Sequence, residues 1–526
     1  MTTTMSIGSI LDRVEVREYT LPEFQRDFVW TDEKIERFYY SLYRGYPVGG
    51  LITWRTNQYS SAARSETREN VSPITFILDG QQRVTALYSI CKGRPPEFYE
   101  GDPTRFDNFY FDLDRETFRF YSPQTARENQ RLILVSEIFQ HGEDYYDSQM
   151  DQLGYSNKDV RLLSKIINLL TKNLYFNELA GEQYKLGTVI EVFNEVNRGG
   201  TPLSVAYLTL SKIYPIWPEC RNTLTKLQEK LHVWRIRVEL LLRSMTVVTT
   251  QNWSYSSLDF NQVTKKQLED SYKRTETILI QILDLIKSHL GIDSSNVLRS
   301  HNSLPIMLHF LNKFRNHNIT TAGFVRLLGW YLHTVFWRRY PGKNDNFFQR
   351  DLNLVNEAAD WNSCLDSMYE LLRLDHGPLH FNPEHFDVSQ VNSVYYPIIY
   401  ILMRTGNAID LGNRRIRLST SISEPLHKHH IFPKKHLQQY SRKEVNALAN
   451  FAFITRSSNL SISANLPSDY LAEIEVKVLE SQWIPVDQKL WEIKNYPKFL
   501  SERRKLLSAA ANKLLENLES GKLPHS

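Results

Sequence analysis

The segment His427-Lys-His-His-Ile-Phe-Pro-Lys-Lys-His436 gathers four imidazoles and three lysines, and Asn450 and Asn459 follow it around a short apolar run. Neutral imidazole takes a proton from water near neutral pH, imidazole and amide oxygen ligate a hard or borderline divalent cation, and clustered lysines attract phosphate. Together these are the requirements of phosphodiester hydrolysis. No other segment collects so much chemistry. A weaker candidate is Asp79-Gly-Gln-Gln-Arg83, directly after the apolar run Ile74–Leu78. A strand that enters a tight turn and a helix start offers unpaired amides and a helix dipole to an anion. Gly80 permits close backbone approach, Arg83 can pair with phosphate, and Asp79 could hold a metal ion or a water.

The elements that must position these groups follow from pattern. Gly50–Trp54 and Ile74–Leu78 read as short buried strands, and Val84, Ala86 and Leu87 continue the second into a helix. Thr31 is expected to cap a helix with Asp32 and Glu33 in its first turn, an apolar side of Ile35, Phe38, Tyr39 and Leu42, and a stop at Gly45. Just upstream, Leu21–Trp30 is extended at Pro22 and carries Gln25 and Arg26 as donors for a bound group, with Phe24, Phe28 and Trp30 assigned to the core. Phe109–Leu113 and Thr117–Phe120 read as a hairpin. A helix over Val189–Val196 ends in Asn197-Arg-Gly-Gly-Thr-Pro-Leu-Ser204, whose glycines stop it and leave Asn197, Arg198 and Ser204 near a ligand. From about Leu224 to Ile401 the spacing is helical, as in Leu304, Met307, Leu308 and Leu311. Arg338 and Arg339, beside Trp337 and Tyr340, offer either a nucleic-acid contact or an ordinary helix end. Beyond the histidine cluster, Phe451–Thr455 reads as a strand and basic helices that include Arg503, Arg504 and Lys505 close the chain.

Composition bounds the reading. A chain of 526 residues exceeds one core, so two or three domains are expected. Cys91, Cys220 and Cys364 are too far apart for a zinc ribbon or a disulfide framework, which suits a reducing cytoplasm. The first residues lack the basic and apolar regions of a signal peptide, and Arg326 and His333 interrupt the most apolar stretch, so neither export nor a membrane span is expected. Net charge is only +4, but from Arg404 onward there are 19 Lys and Arg against 12 Asp and Glu. The basic excess thus accompanies the histidines, as nucleic-acid contact requires, although a solvated helix face gives the same count.

His429-His430-Ile-Phe-Pro433, Ala449-Asn450-Phe-Ala-Phe-Ile-Thr455 and Ser458-Asn459-Leu460 resemble the HNH, or ββα-metal, nuclease motif of two strands and a helix. Phe24-Gln25-Arg26, Asp79-Gly-Gln-Gln-Arg83 and Asn197-Arg198-Gly199 resemble the ParB-like N-terminal domain of the GmrSD-type modification-dependent (type IV) restriction endonucleases. Both halves stand in that family's order, so the resemblance spans the chain except for its helical middle. The phosphorothioate-sensing Ssp nucleases and the BREX-associated defence enzymes share the architecture.

The resemblance implies an α+β multidomain fold, with a ParB-like α/β sensor over residues 1–222, a mostly α-helical connector over 223–403 and an HNH nuclease domain over 404–526. In it His430 is the general base, His429 and Asn459 hold Mg2+ or Mn2+, Asn450 braces the loop that carries His430, and Lys434 and Lys435 contact phosphates beside the cut. In the first half it implies binding and hydrolysis of a nucleoside triphosphate, GTP or ATP, at Gln25, Arg26, Asp79, Gly80, Gln81, Gln82, Arg83, Asn197 and Arg198, with Asp79 and Arg83 central to turnover. No Walker-type phosphate loop is present. Asn459 stands where many such nucleases have His, and His427 and His436 leave the register of base and ligand open. A structural zinc site of the four histidines is the competing reading. The implied activity is cytoplasmic antiphage cleavage of double-stranded DNA, modified or from phage, under nucleotide control, with a homodimer left open. The alternatives are a nucleotide-dependent DNA-binding sensor whose cutting is dispensable, and a nuclease whose first domain recognises DNA without hydrolysing nucleotide.

Overall fold

Apolar runs bounded by turn residues build small sheets in the first part of the chain, and helical periodicity dominates the second. The computed structural model describes residues 2–25, 27–57, 73–142, 144, 146, 152, 154–181, 183–198, 205–298, 300–340, 345–377, 379–387, 393–419 and 426–523. The chain divides into two units, Met1–Thr223 and Leu224–Ser526, and is mixed in α and β structure.

The first unit contains strands β1 (Thr2–Ser6), β2 (Tyr19–Thr20), β3 (Leu51–Thr56), β4 (Ile74–Asp79), β5 (Phe109–Asp112), β6 (Thr117–Phe120), β7 (Leu132–Leu134) and β8 (Asn173–Ala180). Five form a mixed sheet in the order β1-β8-β3-β4-β2, and three an antiparallel sheet in the order β6-β5-β7. Strand β4 is apolar at successive positions because both its faces are covered. Ile77 joins a core with residues of helices α1 (Ile7–Glu15), α2 (Asp32–Arg44) and α3 (Gln81–Lys92). Phe76 and Leu78 join another with Phe24, Trp54 and helix α4 (Leu186–Arg198). The expected strands at 50–54 and 74–78, the hairpin and α2 are all present. Gly45 ends α2 in the left-handed conformation at φ 76°, but Thr31 makes no side-chain cap bond. Phe24 is fully buried, and Phe28 and Trp30 pack partly buried against the core.

The second unit contains helices α5 (Lys265–Leu290), α6 (Leu304–Lys313) and α7 (Thr321–Phe336), then strands β9 (His427–His430) and β10 (Phe451–Ile454), helix α8 (Arg456–Ile462) and the long helix α9 (Tyr496–Glu519). Arg339 is not a nucleic-acid contact. It is 1% exposed, and its Nε and Nη1 donate to Asp351 and Asp375 at 2.6 and 2.7 Å. A buried guanidinium needs carboxylates around it, so the pair of aspartates explains the residue. All three cysteines are buried and unpaired. No described helix is long and apolar enough to cross a membrane.

His333 on α7 gives the second unit a calculable pH dependence. Both its ring nitrogens are buried without a hydrogen-bond partner, and burial, aided by Arg373, pushes its pKa down to about 3. On acidification the unfolded chain takes up this proton first, so the stability that neutral His333 contributes is whole above pH 6.5 and falls as pH drops toward 3. The loss is about 1.4 kcal/mol per pH unit in that window. His333→Phe keeps a ring against Trp337 and Tyr369. We expect it to narrow the difference in melting temperature between pH 7.5 and 5.0; an unchanged difference in thermal melts contradicts the assignment.

Candidate functional site

In the second unit β9 and β10 pair antiparallel, with His430 opposite Phe451 and His429 opposite Ala452. Strand alternation sends His427 and His429 to one face and Lys428 and His430 to the other. Thr455 follows β10 directly and caps α8 by accepting from the Ser458 amide, which sets Asn459 in the first turn of the helix. There the Asn459 Oδ1 lies 3.0 Å from Nδ1 of His429. His429 is 3% exposed, and its Nε2 is buried without a hydrogen-bond partner.

His430 is half-buried, with Nε2 at 3.4 Å from Asn446 Oδ1, and its ring stands edge-on to Phe451 at 4.7 Å. Burial lowers its pKa to about 4; Asn446 opposes this, and Lys434, Lys428 and His429 add to it. The imidazole is therefore neutral at pH 7, the form able to accept a proton. Burial also lowers the pKa of His429, against Asn459 and Asp410.

Asn450 is fully buried at the entry to β10. Its Oδ1 accepts the Phe432 amide at 2.8 Å, and its Nδ2 donates to the carbonyls of Phe432 and Val445 at 3.1 and 3.0 Å. It thus closes the turn that follows the two histidines. Lys434 and Lys435 are exposed in that turn. His436 is engaged elsewhere, through Nε2 and the Ala464 carbonyl at 3.1 Å.

Two residues that the sequence reading did not single out for this role hold the assembly. Asp410 is fully buried; it accepts from the Thr455 amide at 2.6 Å and from the Ser458 hydroxyl, and the amides of Gly412 and Asn413 reach it at 2.9 and 2.8 Å. Asp410 thus holds the cap residue Thr455 by its amide and Ser458 by its hydroxyl, and a carboxylate beside a helix start is favoured by its dipole, which orients the turn that bears Asn459. Arg503, grouped with the basic closing helices, points inward instead. It donates to the carbonyls of Ala449 and Phe451, both at 2.8 Å, and so grips the backbone on either side of Asn450. Burial depresses its pKa to about 9. Only Asp410-Leu-Gly-Asn413 had a local signal, that of an Asx turn.

The donor set decides which metal this site could take. Among the described residues no three His, Cys, Asp or Glu side chains are grouped for a metal, so the four-histidine zinc site lacks its ligands. His429 and Asn459 remain. Two ligands on adjacent corners of an octahedron with bonds of about 2.1 Å stand about 3.0 Å apart, and Mg2+ keeps several waters beyond its one or two protein ligands. His429 and Asn459 stand at that separation through the Nδ1···Oδ1 hydrogen bond they make to each other, so the two ligand atoms are already adjacent and a metal would replace the proton between them.

The first unit presents the Asp79 turn differently from a loop of free donors. Gly80 is left-handed at φ 98°, and a Cβ there would lie 2.0 Å from Leu51 Cδ2, so the turn needs glycine. Arg83 donates to the carbonyls of Val48 and Gly50 at 2.9 and 2.7 Å and pairs with Asp79 at 2.9 Å. The Gln82 Oε1 accepts the Val29 and Trp30 amides at 2.8 and 3.2 Å. Gln25 is buried and donates to the carbonyls of Ile77 and Leu78 at 3.2 and 2.6 Å. Gln81 is buried at the helix start, and the Asp79 carboxylate is 42% exposed. Asn197 and Arg198 end α4, whose last side chains lie outside the described residues, as do Arg26, Gly199 and Ser204. Arg221, unremarked in the sequence, is buried and ties the same region together through the Glu23 carbonyl at 3.0 Å, Asp27 at 2.7 Å and Glu100 at 2.6 Å. Beside the segment that Arg83 holds is a cavity of about 520 Å³ lined by Tyr46, Gly49, Gly50, Lys172 and Tyr175 among others.

Comparison with known proteins bears on both units. Residues 7–214 match the family model described as "GmrSD restriction endonuclease, N-terminal domain". The chain is also similar to the uncharacterized protein MJ0686 of Methanocaldococcus jannaschii, at 22% identity over 550 residues that cover 95% of this chain and 92% of that protein.

Proposed function

We propose that this protein is a restriction endonuclease of antiphage defence, cutting foreign or modified double-stranded DNA at the His429–His430 site under the control of a nucleotide bound in the first unit. The observation that carries the reading is a neutral His430 next to a His429–Asn459 donor pair 3.0 Å wide, on a strand, strand and helix in HNH order. The match of residues 7–214 to a restriction-endonuclease domain supports the same class independently.

In this reading His430 accepts a proton from water as the oxygen attacks phosphorus, and the bond from phosphorus to the 3′ oxygen breaks. Mg2+ or Mn2+, held by His429 and Asn459, would neutralise charge on the phosphate and the leaving oxygen. Lys434 and Lys435 add salt-dependent attraction to flanking phosphates, without sequence choice. Asn450 and Asp410 fix the two arms that carry His430 and Asn459. GTP or ATP is the regulator assigned to the first unit, and the cavity beside Gly49 and Gly50 supports a place for it near the Asp79 turn.

One observation favours a second reading, in which the first unit recognises DNA and hydrolyses nothing. Gln25, Gln82 and Arg83 bond the protein's own backbone and so position the turn. Purified protein tested on unmodified, methylated, glucosylated and phosphorothioated plasmid, each with and without GTP or ATP, separates the two. We expect magnesium-dependent cutting that depends on the modification and on one nucleotide, with Asp79→Ala abolishing turnover of that nucleotide. Cutting without nucleotide turnover in any arm selects the second reading, and no cutting in any arm removes the nuclease assignment.

A further inference from the structure

One side of the long helix α5, the end of α6 with the turn after it, and the start of α7 enclose a cavity of about 490 Å³, within the range of small-molecule sites. Spacing on α5 creates its charged edge, since Lys273 and Arg274 precede Thr277, Ile278 and Gln281 by a helical turn or two, and all five line it. Arg315 contributes a third cation from the turn after α6. No carboxylate lines the cavity, and neither Lys273 nor Arg315 has an ion-pair partner among the described residues. The inner wall is apolar, with Ile278 and Leu311 buried and the Phe314 ring edge-on to His317 at 5.5 Å. Asn312 also lines the cavity, and its side-chain Oδ1 is buried with no hydrogen-bond partner.

These properties converge on one ligand chemistry. Three uncompensated cations at the mouth of an apolar recess repel one another and favour a multiply charged anion. Phe314 and the Asn312 oxygen are themselves buried, so the accessible groups are the exposed His317 ring and the half-buried Phe324, which suit a flat ring, and the exposed Asn318 amide, which suits the hydrogen-bonding edge of a base. We propose that this cavity binds a free mononucleotide, phosphates on Lys273, Arg274 and Arg315 and base toward His317, Asn318 and Phe324. This site lies within the helical part of the second unit, and it stands whether or not the Asp79 turn binds nucleotide.

Photolabelling of the full-length protein with 8-azido-ATP and 8-azido-GTP, followed by peptide mapping, tests this. We expect adducts on peptides from 265–324, competed by the unlabelled nucleotide and reduced at least tenfold by Lys273→Gln with Arg315→Gln. Thr277→Phe, which fills the recess and leaves the charges, should reduce them comparably, and a circular dichroism melt establishes that each variant is folded. Labelling confined to residues before 224, no labelling at all, or competition by a short oligodeoxynucleotide in preference to mononucleotide overturns the proposal. The first of these outcomes would leave nucleotide control through the first unit intact. Failure of the nuclease reading would appear separately, in plasmid cleavage.

Discussion

His430→Ala is expected to slow magnesium-dependent plasmid cleavage by about 10²–10⁴-fold, the usual contribution of a positioned general base. The size is that of a positioned base that is unprotonated across the physiological range, since burial, with Lys434, Lys428 and His429 adding to it, lowers its pKa to about 4; the same low basicity places the expected effect toward the lower end of that range. Removing it leaves the His429–Asn459 pair and the exposed lysines in place, so DNA affinity in a filter-binding assay should change little. Stability should not fall greatly either, because the one hydrogen bond lost, to Asn446, is long at 3.4 Å. His436→Ala is the control for register, because that ring is tied to the Ala464 carbonyl and should leave the rate within a few-fold of wild type. Cutting by His430→Ala at the wild-type rate would remove the general-base assignment. A collapse confined to His436→Ala would move the base to the other end of the cluster.

How far the site was legible depends on where each side chain's partners come from. Strands β3, β4, β5, β6 and β10 and helix α2 were readable because apolar runs, caps and stops are local in sequence, whereas β9, His427–His430, carries no apolar run and was expected only through the nuclease resemblance. Strands β1 and β8 pair across more than 160 residues, and β2 is only two residues long, so neither had a local signal. Polar residues were harder, because a donor that binds a ligand and one that braces a backbone have the same sequence signature. Arg83, Arg221, Arg339 and Arg503 could each serve as a phosphate contact, yet each lies against carbonyls or carboxylates of the protein. Asp410 is the converse. Its partner Thr455 is 45 residues away, and nothing near Asp410 announces that it braces the cap of the helix carrying Asn459.

Asn450→Asp is expected to inactivate the protein through structure, although it changes only an amide for an isosteric carboxylate. The Oδ1 can still accept the Phe432 amide, but the two hydrogen bonds donated by Nδ2 to the carbonyls of Phe432 and Val445 become contacts between oxygens in a fully buried site. Each buried carbonyl that loses its donor costs about 1–3 kcal/mol, and an uncompensated buried carboxylate adds to that, so the loss should exceed about 3 kcal/mol. Protonation relieves part of it by restoring one donor. The second unit of Asn450→Asp should therefore recover stability relative to wild type as pH falls from 7.5 to 5.5, where wild type itself weakens because its buried histidines resist protonation. Arg503 is fully engaged by the carbonyls of Ala449, Phe451, Trp483 and Gln482, so it can neutralise the new charge only by giving up one of these bonds. Urea unfolding of both proteins at the two pH values measures this. Equal stability at pH 7.5 would show that Asn450 does not hold the loop behind His430, and the geometry of the active site would then need another support.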